Sequence, residues 1–164
     1  MLRIYLLRVG PLEPAELIKE EPYEGMTGAR LTRLGISNVQ RVGDALARSA
    51  LRPRKIFYAP KVAAWEAQRI LNHSLHCYSA HTVHSSTEEI DEQRPGETAA
   101  EFTGRMQEFA KNFRSIYREG IFIFAVAEQV FGALPLAWYG GSLPAPLPME
   151  DEYLRILADE TVPA

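Results

Sequence analysis

The chain has 164 residues, a length that suits one domain with a core large enough to need no disulfide or metal staple. Hydrophobic residues make up 46% and charged residues 24%, which excludes disorder over the whole chain. With 18 Lys and Arg against 21 Asp and Glu, the net charge of -3 shows neither the basic excess of a nucleic-acid binder nor an acidic tail, and a single cysteine, Cys77, excludes an internal disulfide.

Residues 2–7 read as a short apolar strand. Arg8 interrupts the apolar start too soon for a signal-peptide core. Residues 11–35, rich in Pro, Glu and Gly, read as a long loop or a loop with one helical turn, and Ser37 or Asn38 is placed to cap a helix reaching about residue 50 through Val39, Val42 and Leu46. Pro53 ends that region, 55–58 form a second strand, and Pro60 opens a helix to about residue 71. Residues 76–83 read as a third strand and 85–97 as an exposed loop. The longest helix spans 98–118, with Phe102, Met106, Phe109, Phe113 and Ile116 on one stripe, and Gly120 ends it. The continuous apolar run 121–126 marks a strand buried on both faces, and a helix follows over 127–138. Glu128, Gln129 and Pro135 break this longest apolar stretch, so no membrane span is expected and the expected location is the cytoplasm. Gly140, Gly141, Pro144, Pro146 and Pro148 make a linker before a short amphipathic helix over 150–158. Strands alternating with helices predict a three-layer α/β/α sandwich on a mostly parallel sheet, with residues 1–141 as the domain and 142–164 as a Pro-rich linker and tail helix.

Several short motifs follow one another in an informative order. The first strand ends Leu6-Leu7-Arg8-Val9-Gly10, and Leu31-Thr32-Arg33-Leu34-Gly35 comes next. Then come Tyr58-Ala59-Pro60-Lys61-Val62-Ala63, Glu89-Ile90-Asp91, Pro95-Gly96-Glu97-Thr98 with Arg105 beyond it, and Phe124-Ala125-Val126-Ala127 at the end of the apolar strand. This order, over residues 4 to 134, resembles the histidine phosphatase superfamily and its phosphoglycerate mutase-like fold.

The resemblance implies a nucleophilic histidine after the first strand, two arginines and a second histidine around the phosphoryl oxygens, and a glutamate that protonates the leaving oxygen. Carried over residue by residue, it puts the nucleophile at Val9, the second arginine at Ala63, the second histidine at Val126 and the acid at Glu89, and it keeps Arg8. Loss of a covalent nucleophile costs on the order of a million-fold in rate. Loss of an oxyanion donor costs about 2.7–4 kcal/mol. No catalytic residue is therefore expected at these positions, and Arg8 is expected to pair with a carboxylate such as Glu128 or Glu89.

All four histidines (His73, His76, His81 and His84) and Cys77 fall in one segment. A zinc site is the sharper reading of that cluster, but the spacing matches no standard zinc pattern, and a helix end followed by a partly exposed strand is the plainer one. No metal and no cofactor are expected. His81 or His84 as a substitute nucleophile would still lack the second arginine, and Cys77 reads as a packing residue. Trp65 and Trp138 are placed either to fill the former pocket or to sit in the core. The basic cluster Arg48, Arg52, Arg54 and Lys55 reads as a solvated surface, so neither nucleic acid nor membrane is an expected partner. Three functions remain open: a catalytically inactive binding, scaffolding or regulatory protein, an enzyme with altered chemistry in the same cleft, and a subunit that depends on a protein partner or a homodimer contact.

Overall fold

A computed structural model of the protein describes residues 2–14, 28–49, 52–75, 83–141, 143 and 149–160. The elements in chain order are β1 (Leu2–Arg8), α1 (Arg33–Arg48), β2 (Lys55–Tyr58), α2 (Val62–Leu75), β3 (Val83–Ser86), a 3-10 turn (Glu88–Ile90), α3 (Ala99–Ile116), β4 (Gly120–Val126), α4 (Glu128–Trp138), β5 (Met149–Asp151) and β6 (Leu154–Asp159). The strands form a six-stranded sheet in the order β3-β2-β4-β1-β6-β5. The first four of these run parallel, and β6 pairs antiparallel with both β1 and β5.

The three layers follow from strand alternation. Leu2, Ile4 and Leu6 of β1 join Phe122 and Phe124 of β4 under α3 and α4, against Phe102, Met106, Phe109, Phe113 and Trp138. Tyr5 and Leu7 join Ile56, Ile123 and Ala125 on the opposite face, against Val39, Val42, Leu46, Ala67 and Leu71 of α1 and α2. Because both faces are covered, the central strands read as continuous apolar runs. Phe113 lies at the centre of the first cluster, with ring centroids 5.2 Å from both Phe122 and Phe124. Thr98 and Glu101 close a capping box that starts α3 where the sequence predicted it. Among the described residues no helix is long and apolar enough to cross a membrane.

Four predicted boundaries move. Helix α1 starts at Arg33, because Thr32 rather than Ser37 or Asn38 is its N-cap. Helix α2 extends to Leu75. Strand β3 occupies Val83–Ser86, paired with β2, and so runs past the predicted end at residue 83, while residues 76–82 of that prediction lie outside the described residues. Gly120, expected to end α3, opens β4 with φ 117°.

The largest correction concerns the tail. Residues 150–158 are not a helix: they belong to the β5–β6 hairpin, and β6 lies beside β1 in the middle of the sheet. Leu154, Leu157 and Ala158 are buried, and that i, i+3, i+4 spacing imitates a helical stripe. The cause is a bulge. Ile4 pairs with Ala158 and Tyr5 with Ile156, so Leu157 is an extra residue that breaks the strand alternation.

Candidate functional site

The parallel strands β1, β2 and β4 all end at one edge of the domain, the place where open α/β sheets hold ligands. Arg8 is level with Val126, and Tyr58 with Ala125. The ladder continues one step past the strands: Val9 N–H donates to the Val126 carbonyl (2.8 Å) and Ala59 N–H to the Ala125 carbonyl (3.2 Å). Two adjoining clefts open there. The deeper, of 280 Å³, is walled by Val9, Ala59, Ala63, Ala64 and Ala127, with Leu12, Glu13, Lys61 and Glu92 around them. The wider, of 670 Å³, holds Arg8, Gly10, Pro11, Glu128, Gln129 and Tyr153 and shares Val9, Leu12, Glu92 and Ala127 with the first.

The turn after β1 is held by the start of α1. Thr32 donates to the Pro11 carbonyl from both its N–H and its hydroxyl (3.1 Å each), and the hydroxyl accepts from Gly35 N–H (3.0 Å). The buried Asn38 amide donates to the Gly10 carbonyl (3.4 Å). These contacts are what Leu31-Thr32-x-x-Gly35 does: Leu31 bridges to Leu12, Thr32 caps and clamps, and Gly35 lets the helix approach the turn. A methyl group at Gly35 would lie 2.5 Å from the Pro11 oxygen and 2.9 Å from Leu31 Cδ2. Gly35→Ala should therefore push the turn off α1, and the clash outweighs the gain of about 1 kcal/mol in helix propensity. The expected net loss is about 2 kcal/mol, within the usual cost of overpacking, and the melting temperature should fall by about 4–8 °C at this chain length. An unchanged melt would show that the turn yields without cost.

Arg8 stacks over the Tyr153 ring at 4.4 Å and lies 3.6 Å from Glu128, a carboxylate that is 84% exposed. Glu128 is thus the carboxylate beside Arg8. Glu89, the other candidate, is exposed, and its carbonyl accepts from Arg105 (2.9 Å). Arg105 orders the whole acidic turn. Its guanidinium also donates to the carbonyls of Asp91 (2.7 Å) and Glu92 (3.0 Å), and it grips both Glu97 oxygens (3.0 and 2.8 Å). The Arg105 hydrogen bond is the foremost cause that draws the Glu97 carboxyl down from 4.5 to about 2. The carboxylate delivered to the clefts is Glu92, which lies 3.9 Å from Lys61. Lys61 is also 3.8 Å from the buried Asp91.

Val9 and Ala63 line the deeper cleft. Val126 does not. It is fully buried on the α3–α4 side of the sheet, and Ala127 stands beside Val9 instead. The tryptophans are not in the clefts either: Trp138 packs in the core against Phe113 (5.8 Å), and Trp65 lines a groove between α1 and α2. Of the histidine segment, His73 lies in that same groove and His84 falls in β3, whereas His76, Cys77 and His81 lie outside the described residues. Among the described residues no group of three or more His, Cys, Asp or Glu is arranged to hold a metal ion. The sequence reading missed Lys61, Glu92, Ala127 and Tyr153. Only Ala127 carried a usable signal, since it follows the buried run by one residue.

No family model matches the sequence, and no curated protein matches it. Solved structures do match the fold. YhfR of Bacillus stearothermophilus superposes with a TM-score of 0.65 at 15% identity, over 89% of this chain and 86% of that one. The alpha-ribazole phosphatase from Shigella flexneri gives 0.62 at 14%, over 84% of each chain. A mycobacterial glucosyl-3-phosphoglycerate phosphatase gives 0.62 at 13%, over 82% of this chain and 78% of that one. The chain has the phosphoglycerate mutase-like fold of the histidine phosphatases, a three-layer α/β/α sandwich.

Proposed function

We propose that this chain is a binding protein built on the histidine phosphatase fold, without phosphoryl-transfer chemistry, in a scaffolding or regulatory role. The observation that carries the reading is the wall of the deeper cleft. Val9 and Ala63, which the family resemblance puts at the nucleophile and the second arginine, line it together with Ala127, the neighbour of Val126. None of the three side chains has a lone pair to attack phosphorus or a donor for a phosphoryl oxygen. Arg8, the cation that remains, is engaged by Tyr153 and Glu128. The single cysteine fits a cytoplasmic setting. A protein partner or a second copy of the chain belongs to the same reading, and light scattering reads the second copy directly.

Hydrolysis of an aryl phosphate by the purified chain, run beside Arg8→Ala, tests the reading. Neither protein is expected to turn over. Turnover that vanishes in Arg8→Ala would overturn it in favour of altered chemistry around Arg8 and Glu92. Turnover equal in both points to a source other than these clefts.

A further inference from the structure

We propose that the deeper cleft binds a small primary amine with an apolar tail. The inference rests on the reading that phosphoryl chemistry is gone from this fold. The cleft's volume of 280 Å³ lies just below the usual range of ligand sites, about 300–1,000 Å³, and so suits a small ligand. The methyl groups of Val9, Ala59, Ala63 and Ala127 form the floor, so an alkyl chain loses water there at no polar cost.

The charged groups around that floor favour a cation. Lys61 is shared by two carboxylates, Asp91 at 3.8 Å and Glu92 at 3.9 Å, and Arg94 lies 3.7 Å from Asp91. Glu13, partly buried on the same cleft, adds a third carboxylate, for which the described residues provide no ion pair. Among the described residues that line the cleft, two carboxylates, Glu13 and Glu92, thus face one cation, Lys61. In the adjoining cleft Arg8 and Glu128 offset each other. An incoming anion meets an excess of negative charge and a floor with no donors, whereas an ammonium adds the missing cation beside Glu13 and Glu92. The exposed Leu12, which lines both clefts, supplies apolar contact at the mouth.

Amide NMR titration of the full chain with hexylammonium, hexanol, hexanoate and inorganic phosphate is the test. Hexylammonium is expected to shift the amides of Val9, Ala59, Ala63 and Ala127 saturably, and hexanoate to bind at least about tenfold more weakly, the worth of one charge-assisted contact. Glu13→Gln and Glu92→Gln should each weaken hexylammonium by about tenfold and leave hexanol unchanged. The proposal is overturned if hexanoate binds as tightly as hexylammonium, if both glutamine variants bind hexylammonium as the parent does, or if hexylammonium leaves these amides unmoved. Phosphate separates the two readings. Phosphate shifts at Arg8 and Val9 together with aryl phosphate turnover would sink the loss of phosphoryl chemistry and the amine with it. Silence from both phosphate and hexylammonium would sink the amine alone.

Discussion

A chain cut after residue 148 is expected to lose its cooperative fold. Without β6, strand β1 becomes an edge with an open hydrogen-bonding ladder in the middle of the present sheet. The cut also removes Leu154 and Leu157, exposed by only 3% and 0%. Full burial of a leucine contributes about 1.5–3 kcal/mol. The pair together therefore approach the lower end of a typical domain stability of about 5–15 kcal/mol. Two polar contacts go as well. Pro135 inside α4 has no N–H for the Phe131 carbonyl, and the Arg155 guanidinium donates to that oxygen instead (3.4 Å) while stacking on the Phe131 ring at 4.2 Å. The Tyr139 hydroxyl donates to the Leu157 carbonyl (2.6 Å). Circular dichroism melts and light scattering check the outcome: a broad or absent transition with aggregation is expected. A cooperative melt within a few degrees of the parent would mean that the hairpin only decorates the sheet.

This dependence also marks where the sequence was legible. Strands β1, β2 and β4 stood out because burial on both faces leaves an unbroken apolar run, and α3 because Phe102, Met106, Phe109 and Phe113 keep one helical stripe to the core. Strand β6 was misread for a local reason. A single bulged residue, Leu157, shifts the alternation and leaves a pattern that periodicity assigns to a helix. At α1 two cues competed: the residues around 37 offered caps, but Thr32 has the hydroxyl three residues before a free N–H and makes the bond.

The site was legible where a strand end fixed it and obscure where it did not. Val9 follows β1 directly, and Ala63 lies in the first turn of α2, so both fall in the cleft. A strand has a period of two, so neighbouring side chains point to opposite faces, which is why Val126 is in the core and Ala127 in the cleft. The acidic turn has no period at all. Which of Glu88, Glu89 and Glu92 reaches the cleft depends on backbone contacts made by Arg105, Arg94 and the turn itself. Tyr153 was out of reach because its place beside Arg8 exists only once the tail is a hairpin.

Those backbone contacts give the second large effect. Arg105→Met should destabilise the chain by about 1.5–3 kcal/mol, the range for losing hydrogen bonds made by a charged group, because these contacts are part-buried rather than buried. The side chain is only 13% exposed, and methionine keeps an unbranched apolar stem while removing every donor. The carbonyls of Glu89, Asp91 and Glu92 lose their shared partner, and Glu97 loses its grip. Urea midpoints read the loss, and amide shifts at Val9 and Ala127 read whether Glu92 has left the cleft. The same network sets a pH dependence with a definite sign. Glu97 titrates at about 2 in the fold against 4.5 without it. Its contribution is complete above about 4.5 and is lost as pH falls toward 2. The difference in urea midpoint between the parent and Glu97→Gln should thus be constant at neutral pH and vanish across that acid window. A difference that persists at pH 2, or one that already fades between pH 7 and 5, would remove Glu97 as the partner through which Arg105 holds the turn.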